Sequence, residues 1–137
     1  MFYHIYPEVP ARFGDNTVMN TSCHPPIVSK LHLIFDGWLG DEILETFPCF
    51  FVTNDLANSL KENKLSGFSL DTMETEVSFE FKQLYQDKQL SEFLWLKIDG
   101  TAKEDDFGID DKKLVISEKA LSVLKKHQFE YCDIEQV

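Results

Sequence analysis

The sequence has little cysteine, little glycine and no long apolar run, and each shortage argues against a class of protein. The three cysteines are an odd number without motif spacing, so we expect a reducing compartment and no disulfide framework. The six glycines include no phosphate-binding loop, and no serine lies in a nucleophile-elbow motif. No segment approaches the roughly 20 apolar residues of a membrane span, and the first residues do not resemble a signal peptide. These shortages predict a cytoplasmic protein that binds no membrane.

Basic residues are also scarce. The chain has 13 Lys and Arg against 24 Asp and Glu, which gives a formal net charge of −11. Nucleic-acid binding needs a basic face, so we expect no nucleic-acid partner. An acidic domain attracts basic proteins and speeds their association, although acidity can also serve solubility alone. The charge therefore favours a basic protein as the kind of partner.

The apolar content predicts one folded domain. The 137 residues are 43% apolar and 13% aromatic, which is too much for a disordered chain, and this length is typical of one domain. We therefore assign residues 1–137 to a single domain. Its N-terminal segment, residues 7–29, is rich in proline and is predicted to be an ordered loop with a short strand near Val18.

The chain also contains a self-similarity at a spacing of about 64 residues. Residues 31–37 and 94–100 both have the pattern Leu-x-Leu-x-apolar-Asp-Gly. Further along, Asp41-Glu42 aligns with Asp105-Asp106, and the apolar segment before Thr53 aligns with the one before Ser117. The pattern predicts two quasi-repeated βα units, residues 31–73 and 94–137, related by a pseudo-twofold axis.

Each unit has the same predicted local structure. An alternating strand ends at Asp-Gly, a short apolar strand follows, and Thr53 or Ser117 is a predicted helix N-cap. Alternating apolar and polar residues over 73–82 predict a ten-residue strand. Together these elements predict an α+β fold, with two helices on a mixed or antiparallel sheet of about six to eight strands.

Seven residues at and after the Asp-Gly turns are candidates for contact with a partner. They are Asp36, Trp38, Asp41, Glu42, Glu104, Asp105 and Asp106. Trp38 lies between two turn glycines, where it is either an interface anchor or a side chain that packs on the core. The acidic run at 104–111 is a solvated loop, a partner-binding patch or a metal site, although its spacing does not match an EF-hand.

The sequence offers no recognisable active site. The four histidines are scattered and none has the spacing of a zinc motif. Paired carboxylates can act in glycoside hydrolysis, but the Asp-Gly pairs are explained by turns. We therefore assign no catalytic residue, no metal ligand and no cofactor, and predict that the chain is not an enzyme.

Two stretches of the sequence resemble a known family. The first is residues 51–56 with Leu60-Lys61 and residues 65–68, and the second is residues 114–121 with Leu124-Lys125 and Phe129. Over residues 30–137 the chain resembles small bacterial immunity proteins of polymorphic toxin systems. The resemblance implies that the protein binds and blocks a cognate toxin domain. Many such toxins are basic nucleases, which an acidic surface would suit. No functional residue can be carried over, because the family has no catalytic motif.

The function predicted from the sequence is therefore that of an acidic binding protein, as an immunity protein for a basic toxin domain. Two alternatives belong to other classes. One is a small hydrolase that depends on clustered carboxylates or a metal, and the other is a self-assembling structural or regulatory subunit. The sequence does not distinguish a monomer from a homodimer.

Overall fold

The structure, a computed structural model, describes residues 1–87 and 89–137. The strands in this part of the chain are β1 (Phe2–Tyr6), β2 (Ala11–Phe13), β3 (Val18–Asn20), β4 (Ile27–Lys30), β5 (His32–Phe35), β6 (Ile43–Thr46), β7 (Cys49–Thr53), β8 (Phe68–Asp71), β9 (Glu74–Val77), β10 (Phe93–Ile98), β11 (Phe107–Asp110), β12 (Lys113–Ser117) and β13 (Asp133–Gln136). The helices are α1 (Asn54–Glu62), α2 (Phe79–Leu84) and α3 (Glu118–Leu124). The predicted α+β class is confirmed.

The strands form several small sheets, so the prediction of one sheet with six to eight strands is wrong. Two sheets have four strands, in the orders β6-β7-β10-β8 and β11-β12-β1-β13. A third sheet has the order β2-β5-β9, in which β5 and β9 are parallel, and β3 pairs with β4 alone. The strands are more numerous than predicted because they are short and because the segment 7–29 contributes β2 and β3. Within the described residues, no helix is long and apolar enough to cross a membrane.

The strand pairings of the two four-stranded sheets recur at a fixed spacing. In the hairpin of β6 and β7, Ile43 pairs with Val52. In the hairpin of β11 and β12, Phe107 pairs with Ile116, so each partner stands 64 residues further along the chain. A helix follows each hairpin directly, and α1 and α3 also begin 64 residues apart.

The central strand of each four-stranded sheet comes from outside its hairpin and helix. β10 lies between β7 and β8, and β1 lies between β12 and β13. The registers correspond, because Leu96 pairs with Leu70 and Ile5 pairs with Ile134. The aligned sequence of residues 31–37 led to the expectation that β5 would be the counterpart of β10. In the structure β5 belongs to the three-stranded sheet, and the strand that matches β10 in position is β1.

Two clusters of buried apolar side chains make up the core. The first joins both four-stranded sheets to α1 and α3, and it contains Ile5, Val52, Leu60 and Leu124. The second lies on the other face of β7 and β10, against β5 and α2, and both tryptophans belong to it. Successive residues of β7 point to opposite faces and every one of them is buried, so this strand is shared by the two clusters.

The segment 73–82, predicted to be one long strand, is divided between a strand and a helix. β9 ends at Val77, and Ser78 accepts a hydrogen bond from the backbone N–H of Phe81 at 3.1 Å, which starts α2. Phe81 is 2% exposed and its ring lies 4.9 Å from that of Tyr85. The N-cap and the burial of Phe81 in the second cluster outweigh the alternating pattern of the sequence.

Candidate functional site

An acidic pair precedes each hairpin, and its second residue holds the N-cap of the following helix. Thr53 donates its hydroxyl to Glu42 at 2.7 Å, and Ser117 donates to Asp106 at 2.6 Å. Each hydroxyl also accepts a hydrogen bond from a backbone N–H in the first turn of its helix, as predicted for an N-cap. The carboxylates therefore fix the position of the two hydroxyls that start α1 and α3.

The other oxygen of each carboxylate reaches the segment after the opposite helix. Glu42 accepts from the backbone N–H of Gln128 at 3.0 Å, and Asp106 accepts from that of Ser66 at 2.9 Å. Hydrogen bonds from backbone N–H groups to a charged acceptor are stronger than those between neutral groups. Both acids thus stabilise contacts between the two halves of the fold.

Trp38 and Asp41 were predicted to be surface contacts, and the structure buries both. Asp41 is 0% exposed and accepts hydrogen bonds from the backbone N–H groups of Glu130 and Tyr131, at 2.9 and 2.8 Å. Trp38 is 7% exposed, and its indole N–H donates to the backbone oxygen of Asp41 at 2.8 Å. A buried carboxylate needs such partners, because an unpaired charge in the interior is costly. Asp41 therefore cannot present its carboxylate to a partner.

The remaining candidates lie nearer to the solvent. Asp36 forms an ion pair with Arg12 at 3.1 Å, and its side chain is 44% exposed. Glu104 is exposed, and Asp105 accepts a hydrogen bond from the backbone N–H of Thr101 at 2.8 Å. Asp36 and Glu104 thus remain available as surface contacts, while Asp105 shapes its own loop.

An open cleft of about 420 Å³ lies at the N-terminus of α1. Its lining residues are Trp38, Gly40, Glu42, Thr53, Asn54, Asp55, Ser91 and Glu92. Three of them, Glu42, Asp55 and Glu92, carry carboxylates, and the lining contains no lysine or arginine. The amide of Asn54 donates to Glu92 at 2.7 Å, which holds that carboxylate at the rim. We call this feature the acidic cleft.

On the other side of Glu42 lies a chain of three hydrogen-bonding side chains. The Nδ1 atom of His127 is 3.1 Å from both carboxylate oxygens of Glu42, and its Nε2 atom is 2.8 Å from the hydroxyl of Ser59. The side chains of His127 and Glu42 are 16% and 18% exposed. The sequence analysis missed this arrangement, since Ser59 and His127 lie 68 residues apart and belong to no motif.

The cysteines and the other histidines offer less chemistry. Burial raises the pKa of the Cys49 thiol to about 12, and burial is also the main reason that the pKa of Cys132 is raised to about 12. His32 is buried and its Nε2 atom lies 2.7 Å from Glu76. In the described part of the chain, no three His, Cys, Asp or Glu side chains are grouped closely enough to hold a metal ion.

These features define an acidic α+β protein with a carboxylate-lined cleft beside the first helix. No protein-family model, no curated protein and no solved structure matches the chain. The functional argument therefore depends on the geometry and charge of the chain itself.

Proposed function

We propose that the protein binds a basic protein partner through the acidic cleft, as an immunity protein that neutralises a cognate toxin domain by direct binding. The observation that carries the proposal is the cleft, which combines a concave shape with three carboxylates and no basic side chain in its lining. The resemblance to immunity proteins supplies the kind of partner. The net charge of −11 gives the long-range attraction that speeds association with a basic protein.

The cleft suits the side chain of a lysine or arginine. Asp55 and Glu92 are exposed at its rim, and Glu42 lies deeper, where Thr53 and Gln128 hold its carboxylate. A carboxylate that is already oriented binds a cation at a lower entropic cost than a free side chain does. Asp55 and Glu92 are therefore the contacts that a mutation can remove without disturbing the N-cap of α1.

The choice of residues for a charge-reversal test follows from the same geometry. Asp41, Glu42 and Asp106 accept hydrogen bonds from backbone groups and N-cap hydroxyls, so reversing their charge would unfold the protein. Asp55 and Glu92 have no such role in the core. We expect Asp55→Lys to cost about 0.3–1 kcal/mol of stability, because a positive charge in the first turn opposes the helix dipole.

The test is affinity capture from the source cells, followed by mass spectrometry. The tagged wild-type protein is expected to recover one stoichiometric basic partner. The double variant Asp55→Lys, Glu92→Lys is expected to weaken binding to that partner at least about 100-fold, because like charges brought together cost several kcal/mol. The captured partner, produced alone, should arrest growth, and coproduction of this protein should restore it.

The matched control is the double variant Glu62→Lys, Asp110→Lys, which changes the net charge by the same amount at exposed positions outside the cleft. It should retain the partner with an affinity close to that of the wild type. If both double variants lose the partner equally, net charge and not the cleft governs binding. If the wild-type protein recovers only itself while the partner is being expressed, the proposal is wrong.

A further inference from the structure

We propose that Ser59 is a nucleophile, with His127 as its general base and Glu42 as the residue that orients the histidine. The hydroxyl of Ser59 lies 2.8 Å from Nε2 of His127, while Nδ1 lies 3.1 Å from both oxygens of Glu42. A carboxylate accepts hydrogen bonds, so it places the ring proton on Nδ1 and leaves Nε2 to accept from the hydroxyl. This is the order of roles found in serine–histidine–acid triads on unrelated folds.

The fold itself does not require the serine and the histidine. Because the strand pairings recur at a spacing of 64 residues, each member of the group has a counterpart in the other half of the molecule. Asp106 stands at the counterpart of Glu42 and keeps the same bond to an N-cap hydroxyl. Val123 and Asn63 stand where Ser59 and His127 would be. The acid therefore serves the helix in both halves, and the serine and histidine are additions to one half.

The carboxylate is held in place for the role that we assign to it. Glu42 accepts from the hydroxyl of Thr53 at 2.7 Å and from the backbone N–H of Gln128 at 3.0 Å, in addition to its contact with His127. Ser59, His127 and Glu42 are all partly exposed, so a small electrophile can reach the hydroxyl. A base that is oriented by a fixed third group is the arrangement that activates a serine.

The reaction is the transfer of an acyl group from an ester to Ser59. The serine oxygen attacks the ester carbonyl carbon while its proton passes to Nε2 of His127. The bond from the carbonyl carbon to the alcohol oxygen then breaks, and the leaving group departs as an alkoxide or takes the proton from His127. Water can later cleave the acyl-serine in the same way, which releases the acid and restores the hydroxyl.

The position of Ser59 within α1 determines the class of substrate. The backbone N–H groups around it are engaged in the helix, so they do not form an oxyanion hole. The loss of a single oxyanion donor costs a factor of about 10²–10³ in rate. The site is therefore suited to activated electrophiles with good leaving groups, namely aryl esters and fluorophosphonates, and not to amides or alkyl esters.

The experiment is labelling of the purified full-length protein with a fluorophosphonate probe, followed by intact mass and peptide mapping. One adduct on Ser59 is expected, and none in Ser59→Ala. In His127→Gln the labelling rate should fall about 10²-fold or more, which is the usual contribution of a general base. The wild-type rate should rise with pH as the imidazole loses its proton. Ser122→Ala, which removes an exposed serine on α3, should label like the wild type.

A second variant keeps the test independent of any loss of fold in His127→Gln. In Ser59→Cys the new thiol should react with iodoacetamide faster than the exposed Cys23 of the same molecule, because His127 draws off its proton. Labelling of Ser59 no faster than of Ser122, or a rate unaffected by His127→Gln in a protein with native circular dichroism, would overturn the proposal.

Discussion

At the scale of single residues, the acidic side chains of this chain have several distinct environments. Asp41 is fully buried on two backbone N–H groups, Glu42 and Asp106 are shared between an N-cap and the opposite half, and Glu104 is exposed. Each hydrogen bond to a charged group contributes about 1.5–3 kcal/mol. Many of the acids that give the chain its negative charge therefore also hold the fold, which composition alone does not reveal.

Glu45 illustrates the opposite case, a carboxylate that burial disfavours. It lies on β6, and burial raises its pKa above the ordinary value. A carboxyl group whose pKa is higher in the folded state contributes stability below its unfolded pKa of about 4.3 and loses that contribution as the pH rises through the folded pKa. Ionised Glu45 therefore opposes folding at neutral pH.

We predict that Glu45→Gln is more stable than the wild type at pH 7.5 and that this advantage disappears near pH 3.5. The neutral amide carries no charge at either pH, whereas the wild-type carboxyl is protonated only at the lower one. Thermal unfolding of both proteins at the two pH values measures the difference. A variant that is destabilised at pH 7.5, or an equal difference at both values, would contradict the assignment.

At the scale of secondary-structure elements, each helix begins at a hydroxyl residue that caps its first turn. Thr53, Ser78 and Ser117 each accept a hydrogen bond from the backbone N–H three residues further on. Each of these caps is worth about 1 kcal/mol. The sequence predicts the first and the last correctly, because acidic and apolar residues follow at helical spacing. It misses Ser78, because the surrounding residues alternate as in a strand.

The two Asp-Gly turns have similar backbone bonds but differ in how tightly they are packed. The N–H groups of Asp99 and Gly100 both donate to the oxygen of Gly67, as those of Asp36 and Gly37 do to the oxygen of Pro10. A Cβ atom on Gly100 would overlap the backbone oxygen of Phe107, whereas one on Gly37 would meet only the Tyr85 hydroxyl at 3.4 Å.

We therefore predict that Gly100→Ala destabilises the protein by about 1–3 kcal/mol, since backbone must move to admit the methyl group. Gly37→Ala serves as the matched control and should change the stability by less than about 0.5 kcal/mol. Urea denaturation measures both free energies of unfolding. Equal effects of the two substitutions would show that the packing around Gly100 does not determine its residue type.

At the scale of the whole molecule, the two halves depend on each other for their central strands. β10 precedes the second hairpin in sequence but lies in the sheet of the first, and β1 lies in the sheet of the second. α1 and α3 share the first core cluster, so neither half buries its apolar face alone. This interlocking favours unfolding in a single step.

We predict that tryptophan fluorescence and far-ultraviolet circular dichroism report the same midpoint in urea. Trp38 and Trp95 lie in the second core cluster, whereas α1 and α3 belong to the first, so the two probes observe different parts of the fold. β7 and β10 contribute to both clusters and should transmit the loss of one to the other. A fluorescence midpoint clearly below that of the circular dichroism would indicate two independent folding units.

The sequence by itself determined the features that depend on neighbouring residues. The N-caps at Thr53 and Ser117, the apolar stripes of α1 and α3 and the spacing of 64 between matching hairpins follow from local pattern and self-similarity. Only the tertiary structure decided which strand completes each sheet, because pairing of β1 with β12 joins residues at opposite ends of the chain. The same reason applies to the sites. Asp41 is buried and Ser59 meets His127 through contacts between segments far apart in sequence, and no local pattern records such contacts.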